Sequence, residues 1–245
     1  MLHRLLLLLL LIVGPALASG KCVFCRHDGG QYPLRTVDYA AGSQWVCQRC
    51  LEKLARCSVC DLATDKKPYR DGRTLCASCL KLNLANQGQA ESLYSKVVKF
   101  VDGLLGDKVK PLPPVRICDD DELQTRFIES GRAMQVAGFY QPYNPEQIYI
   151  RSYETLVEAG GTLAHEYTHA WQSRHAVQQD RALKEGFANW VEYHYLVSIG
   201  EPARAASLTR SSDPDYGASL ERLLELERKS GKAAVIKLGR TGTKI

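Results

Sequence analysis

His165-Glu166-Tyr167-Thr168-His169 sets two imidazoles four residues apart, with a carboxylate directly after the first. On an α-helix this spacing puts both rings on one face, a turn apart, where they can reach a single zinc ion about 2 Å away. Glu166 projects about 100° around the helix from His165, so it stands beside the ion as a base and not among its ligands. A catalytic zinc takes three protein ligands and a water whose pKa it brings to about 7. A neighbouring carboxylate can then accept that water's proton as it attacks a carbonyl, so the pattern points to zinc-dependent hydrolysis.

The third ligand must come from elsewhere, and Lys184-Glu185-Gly186-Phe187-Ala188-Asn189-Trp190 offers it, Glu185 lying 16 residues beyond His169. That gap holds a turn and the start of a second helix. Phe187, Trp190, Val191 and His194 recur at helical spacing, while Glu185, Asn189 and Glu192 share another face. Glu185 and Glu192 therefore compete. Gly186 favours Glu185, because it removes a side chain where helix and metal would approach closely. Apolar flanks at Thr162-Leu163-Ala164 and Ala170-Trp171 fit a buried active-site helix.

A second metal signature precedes this one. Cys22/Cys25, Cys47/Cys50, Cys57/Cys60 and Cys76/Cys79 are four Cys-x-x-Cys pairs, and Cys118 stands alone. Each pair can aim two thiolates at one tetrahedral ion. Consecutive pairing gives one structural zinc on Cys22, Cys25, Cys47 and Cys50 and another on Cys57, Cys60, Cys76 and Cys79; interleaved pairing is the alternative. A disulfide framework also competes, but disulfides within these pairs would close four tiny loops that cross-link nothing distant. Cys118 has no local signature of a nucleophile and reads as a core residue.

Charge agrees with bound metal. Residues 21–82 hold eleven Lys or Arg against six Asp or Glu. Two zinc ions with eight thiolates carry a net charge of about −4, which the basic side chains offset. The remaining residues, 83–245, hold 20 basic and 21 acidic side chains, so the pI of 8.7 needs no nucleic-acid partner. No Lys/Arg run of the kind that tracks phosphates is present.

The elements that must position these groups are legible in outline. Residues 1–18 read as a secretory signal: His3 and Arg4, an apolar run from Leu5 to Val13, then Ala16-Leu17-Ala18 before the cut. The run is short for a membrane span, so a secreted or periplasmic protein without stable membrane insertion is expected. Residues 19–82 form the Cys-rich module and 83–110 a helical linker, with Leu84, Leu93, Val97, Val98 and Val101 on its apolar face. Residues 111–245 form the catalytic domain. In it Val115–Cys118 reads as a strand, and Phe139-Tyr140 and Gln147–Arg151 as a hairpin ahead of the active-site helix. An edge strand in that place can hold extended substrate backbone by strand addition. Ser219 to Lys229 reads as a helix ended by Gly231, followed by a short apolar element over Val235 to Leu238. The fold class is α+β: a small β-rich zinc-ribbon-like module, then a mostly helical zincin-type domain with a small sheet.

The stretch Gly-Gly-Thr-Leu-Ala-His-Glu-Tyr-Thr-His-Ala-Trp-Gln from Gly160, with the later Glu-Gly-Phe-Ala-Asn-Trp from Glu185, resembles the active-site region of the LIM-domain peptidases that restrict organ growth in plants and of their bacterial relatives. That family also sets a LIM zinc module ahead of a peptidase domain. The resemblance implies a gluzincin centre with His165, His169 and Glu185 as zinc ligands and Glu166 as catalytic base, which settles Glu185 over Glu192. The chain departs from the LIM pattern in having Cys47 where a histidine is usual and six residues between Cys50 and Cys57 where two are usual, so the module is LIM-like. Asp215-Tyr216-Gly217 also resembles family segments. Tyr216 reads as a structural residue, with donation to an oxyanion as its alternative role.

Two functions follow. In the first, the chain is a zinc peptidase acting on protein or peptide substrates, with one catalytic and two structural Zn2+ and a LIM-like module that recruits substrate or a protein partner. In the second, that module is the working part and the peptidase fold a catalytically silent scaffold. Glu166 separates them, since a scaffold needs no base beside its metal.

Overall fold

The structure is a computed structural model that describes residues 20–37, 43–59, 61, 63–68, 72–129 and 136–245. The expected signal at 1–18 and the expected ligand Cys60 lie outside the described residues. The chain divides into two compact units, one of the residues up to Lys67 with Thr74–Cys76, the other of Pro68–Arg73 with Ala77–Ile245.

The first unit is made of two antiparallel hairpins and one short helix. Strands β1 (Leu34–Val37) and β2 (Gln44–Cys47) pair with Leu34 opposite Cys47, helix α1 (Gln48–Lys53) follows, and β3 (Ala55–Arg56) pairs with β4 (Ala63–Thr64). Its buried apolar residues are few: Val46, Ala63 and Leu75 beside the cysteines. So small a core needs help from metal or another cross-link.

Helix α2 (Ala77–Leu82) opens the second unit, followed by α3 (Gln87–Leu105), β5 (Val115–Cys118), α4 (Asp120–Glu129), β6 (Gly138–Gln141) and β7 (Gln147–Arg151). Helices α5 (Leu156–His175), α6 (Arg181–Ser198), α7 (Pro202–Ser207), α8 (Gly217–Ser230) and α9 (Lys232–Thr241) complete it, with a 3-10 turn at Leu208–Arg210. The strands run in the order β5-β7-β6, β7 being parallel to β5 and antiparallel to β6. Strand β6 is therefore an edge.

The helix read from Asn83 begins instead at Gln87. Asn86 caps α3 by accepting from the Gln89 N–H, and the helix buries Ala90, Tyr94, Val97, Val101 and Leu105 in the core shared with α5. Tyr94 meets Tyr167 edge-on, and the Tyr167 hydroxyl donates to Asp102 at 2.7 Å. The helical period begins four residues later than the sequence reading put it because Asn86 caps it.

The core is built on α5 and α6, whose Leu163, Tyr167, Trp171, Phe187 and Trp190 are fully buried. Two glycines let these helices touch. A Cβ on Gly160 would lie 2.5 Å from the Tyr195 hydroxyl, and one on Gly161 would lie 2.8 Å from Glu192 Oε1. Alanine at Gly160 would overpack against the Tyr195 ring at a cost of about 1–3 kcal/mol, whereas at Gly161 the Glu192 carboxylate would have to swing aside. Asp180 caps α6 by accepting from the Leu183 N–H, which fixes where that helix starts and hence where Glu185 points. Cys118 is buried, and burial pushes its thiol up to about 12, as befits a core residue. Among the described residues, no helix is long and apolar enough to cross a membrane.

Candidate metal centre and cleft

Helix α5 carries His165 and His169 one turn apart, and the first turns of α6 bring Glu185 against them. His165 Nε2 and His169 Nε2 are 3.1 Å apart, and Glu185 Oε2 lies 3.3 Å from the first and 3.2 Å from the second. This is nearly an equilateral triangle. A tetrahedral zinc about 2.0–2.1 Å from its ligands has ligand–ligand edges of about 3.3–3.4 Å, so the three atoms form one face of such a site. All three side chains are buried.

The outer ring nitrogens show why both Nε2 atoms face inward. His169 Nδ1–H donates to Gln172 Oε1 at 2.8 Å, which leaves the lone pair on Nε2. Gln172 is held in that orientation by its own Nε2, which donates to the Lys184 carbonyl at 2.9 Å and to Gln179 Oε1 at 3.1 Å. The Lys184 carbonyl immediately precedes Glu185, so one buried amide ties a ligand on α5 to the backbone beside a ligand on α6. His165 Nδ1 lies 3.5 Å from Glu192 Oε2, which orients the other ring. Glu192, the rival third ligand, thus sits behind His165 while Glu185 faces the triangle.

The electrostatics favour positive charge at this centre. Burial works against the charged form of His165, yet Glu185 and Glu192 raise its pKa well above the usual imidazole value. Burial likewise opposes ionisation of Glu185, but hydrogen bonds with His165 and His169 hold its carboxyl far below the usual range. A donor set of two imidazoles and one carboxylate, each aimed by a buried neighbour, fits a resident Zn2+.

Gly186 does not make room for the ion. A Cβ there would fall 2.5 Å from the Ser219 Cβ on α8, so this glycine admits α8 against α6.

Glu166 stands beside the triangle, and its Oε2 accepts from the Tyr140 N–H on β6 at 2.8 Å. Backbone groups alternate across an edge strand, so Gly138 presents its N–H and C=O on the same free side as Tyr140. A network holds β6 in place: the Tyr140 hydroxyl donates to Glu146 Oε1 at 2.5 Å, and Arg174 on α5 grips both Glu146 oxygens at 2.6 Å. Next to these groups opens a cleft of about 390 Å³, lined among others by Gly138, His165, Glu166, Asn189, Arg210 and Tyr216. The Tyr216 ring lies parallel to His165, with centroids 5.9 Å apart, and burial raises its pKa, with Glu185 adding to the effect.

In the cysteine-rich unit, Cys22, Cys25, Cys47 and Cys50 place their sulfurs within 4.8 Å of one another. Cys25 and Cys47 are 3.6 Å apart, too far for a disulfide of about 2.05 Å and close to the roughly 3.8 Å edge of a four-thiolate zinc site. Burial works against the Cys22 thiolate, but the backbone N–H groups of Cys25, Cys47 and Phe24 bring its pKa down to about 6. The turn after Cys22 closes with the Arg26 N–H on the Cys22 carbonyl, and Arg26 has φ of 63°. Cys57 and Asp61 repeat it, with the Asp61 N–H on the Cys57 carbonyl and φ of 56°. Cys57 and Cys76 of the same unit are both buried.

Gln172 and Tyr140 were not visible from the sequence as parts of the site. Gln172 had a signal, standing three residues after His169 on the helix, where a side chain can reach its outer nitrogen. Tyr140 acts through its backbone and carried none.

The chain is 26% identical over 96 residues to Protein DA1-related 2 of Arabidopsis thaliana, a match covering 36% of this chain and 18% of that protein. The match thus takes in less than a fifth of that relative's length. No protein-family model matches the chain, and no solved structure does. This is a distant similarity to a plant protein in a chain whose cysteine and histidine groups are arranged to hold metal ions.

Proposed function

We propose that the chain is a zinc peptidase in which His165, His169 and Glu185 hold the catalytic ion and Glu166 is the base. The observation that carries this reading is the 3.1–3.3 Å triangle of donors with the Glu166 carboxylate fixed beside it by the Tyr140 N–H. Zinc bound there supplies a Lewis acid that acidifies water and polarises a carbonyl. Glu166 Oε2 is oriented by one N–H, and the carboxylate takes the proton of the attacking water. As the new carbon–oxygen bond forms and the peptide carbon–nitrogen bond breaks, Glu166 returns that proton to the leaving nitrogen. The free edge of β6 at Gly138 lies in the cleft and suits pairing with an extended substrate backbone.

The cysteine clusters complete the proposal as two structural zinc sites in a LIM-like module that recruits substrate or a protein partner, in a protein exported to the periplasm or the medium. No nucleic-acid role is assigned, since the basic excess matches the thiolate charge. The test is cleavage of a peptide library by the full chain with zinc, with chelator, and with Glu166→Gln. Cleavage by the zinc-loaded protein alone supports the proposal. Equal cleavage in all three, or none by zinc-loaded wild type, defeats it.

A further inference from the structure

Arg210 ends the 3-10 turn, is exposed, and is the one Lys or Arg side chain among the described residues that line the cleft. Among the described residues it has no hydrogen bond or ion pair, and its surroundings make that informative. Asp213 and Asp215, the nearest acids along the chain, are both engaged by Arg181, at 3.0 and 2.8 Å. Of the two carboxylates lining the cleft, Glu166 accepts from the Tyr140 N–H and Glu192 faces His165 Nδ1. These four described acids are thus engaged by other groups. Asn189, from α6, lines the same cleft; it is buried, and its carboxamide has no partner among the described residues. Its carboxamide atoms are open to the cleft and not sealed from solvent, so a polar ligand there can hydrogen-bond to them.

We propose that Arg210 recognises a carboxylate of the substrate, with Asn189 as a neutral hydrogen-bonding companion, so that the cleft prefers peptides bearing a negative charge near the bond to be cut. The inference rests on the peptidase reading for its substrate class, though not for the binding site itself. The guanidinium offers a planar fork that pairs a carboxylate through two hydrogen bonds, which lysine cannot reproduce. Two sources present that group: an internal Asp or Glu side chain, or the free carboxyl terminus of a short peptide.

The experiment uses the full zinc-loaded chain and matched peptides carrying Glu, Gln or Lys at each position around the cut. One series is blocked at both ends and a second has a free carboxyl terminus. Wild type should show kcat/KM at least about tenfold higher for a carboxylate-bearing peptide than for its Gln counterpart at one position. Arg210→Glu should abolish that preference and favour Lys there, and Arg210→Lys should restore only part of it. A preference confined to the blocked Glu series identifies a side-chain pocket; one confined to free termini identifies an end-binding enzyme. Equal kcat/KM for Glu, Gln, Lys and free-terminus peptides, or a preference unchanged in Arg210→Glu, overturns the assignment while leaving the peptidase intact. Binding of the Glu and Gln peptides to Glu166→Gln, with and without Arg210→Glu, reads the site independently of turnover. Arg210-dependent binding without any cleavage by wild type keeps the carboxylate site and removes the peptidase, and binding indifferent to Arg210 removes the site.

Discussion

The Tyr140 backbone N–H donates to Glu166 Oε2 at 2.8 Å, so the edge strand of the sheet directly positions the carboxylate proposed as base. In the proposed reaction, substrate pairing with that strand and proton transfer by that carboxylate would share one frame. Because the donor is backbone, no substitution of Tyr140 removes it outright, but the strand's anchors can be loosened. Glu146→Gln breaks the bidentate grip of Arg174 and weakens the acceptor of the Tyr140 hydroxyl. Peptide hydrolysis should fall about tenfold while bound zinc is unchanged, since a misplaced base costs rate without touching the ligands. Zinc content and kcat measured together decide it; loss of zinc would mean that the network supports the ligands instead.

Glu166→Gln separates catalysis from metal binding. The amide is the same size as the carboxylate but has little basicity, so hydrolysis should fall by about 10²–10⁴-fold with zinc stoichiometry preserved. Parent-rate cleavage by the variant would exclude Glu166 as base.

Much of this site was legible beforehand, and the reasons are local. His165, Glu166 and His169 follow from helical geometry alone, because four residues make about one turn wherever a helix forms. Glu185 against Glu192 was not decidable by spacing: both lie on one face of α6, and the choice depends on where Asp180 starts the helix and how closely Gly160 and Gly161 let it approach α5. Strand β5 was legible to the residue, since apolar runs bounded by prolines announce themselves. The role of α3 was not, because an amphipathic helix carries the same pattern whether it links or packs. Arg210 became readable only when Arg181 was seen to occupy Asp213 and Asp215.

Gln172 should matter to metal affinity without being a ligand. Gln172→Leu keeps the approximate volume but removes the acceptor that fixes the His169 tautomer and cuts the tie to the Lys184 carbonyl. Loss of such an outer partner typically weakens metal binding 10–100-fold. Chelator competition should show that loss at the catalytic site alone, with the cysteine sites unmoved. Unchanged affinity would show that the ring is held by packing.

The half-buried pair His194–Glu227 predicts a pH dependence of stability away from the metal. His194 Nε2 lies 2.8 Å from Glu227 Oε2, which also accepts from Trp190 Nε1–H at 2.7 Å. Burial lowers the His194 pKa below 6.5, with Glu227 opposing it only in part. As pH falls through about 6.5 the unfolded chain therefore takes up the proton first. Stability contributed here is complete above that pH and declines towards the lower folded value. Tm should drop between pH 7.5 and 5.5, and His194→Gln, which still offers Glu227 a donor, should drop less. Parallel Tm curves for the two proteins would refute this.

The two kinds of metal centre should empty independently. Four thiolates from Cys22, Cys25, Cys47 and Cys50, the proposed second set of Cys57, Cys60, Cys76 and Cys79, and the His165–His169–Glu185 triangle together call for three zinc ions per chain. His165→Ala should remove one of them and abolish hydrolysis while the thiolate sites keep theirs, because no cysteine contributes to the triangle. Cys47→Ser should also remove one. It should unfold the small unit as well, since Val46, Ala63 and Leu75 bury too little apolar surface to hold its hairpins without the ion. Elemental analysis gives the stoichiometry, and thiol titration with and without chelator gives its assignment. Two ions in wild type that His165→Ala leaves in place would mean that the triangle is empty and not the cysteine sites, whereas one ion in wild type, or thiols that titrate equally in both conditions, would show that the cysteines serve some purpose other than binding metal.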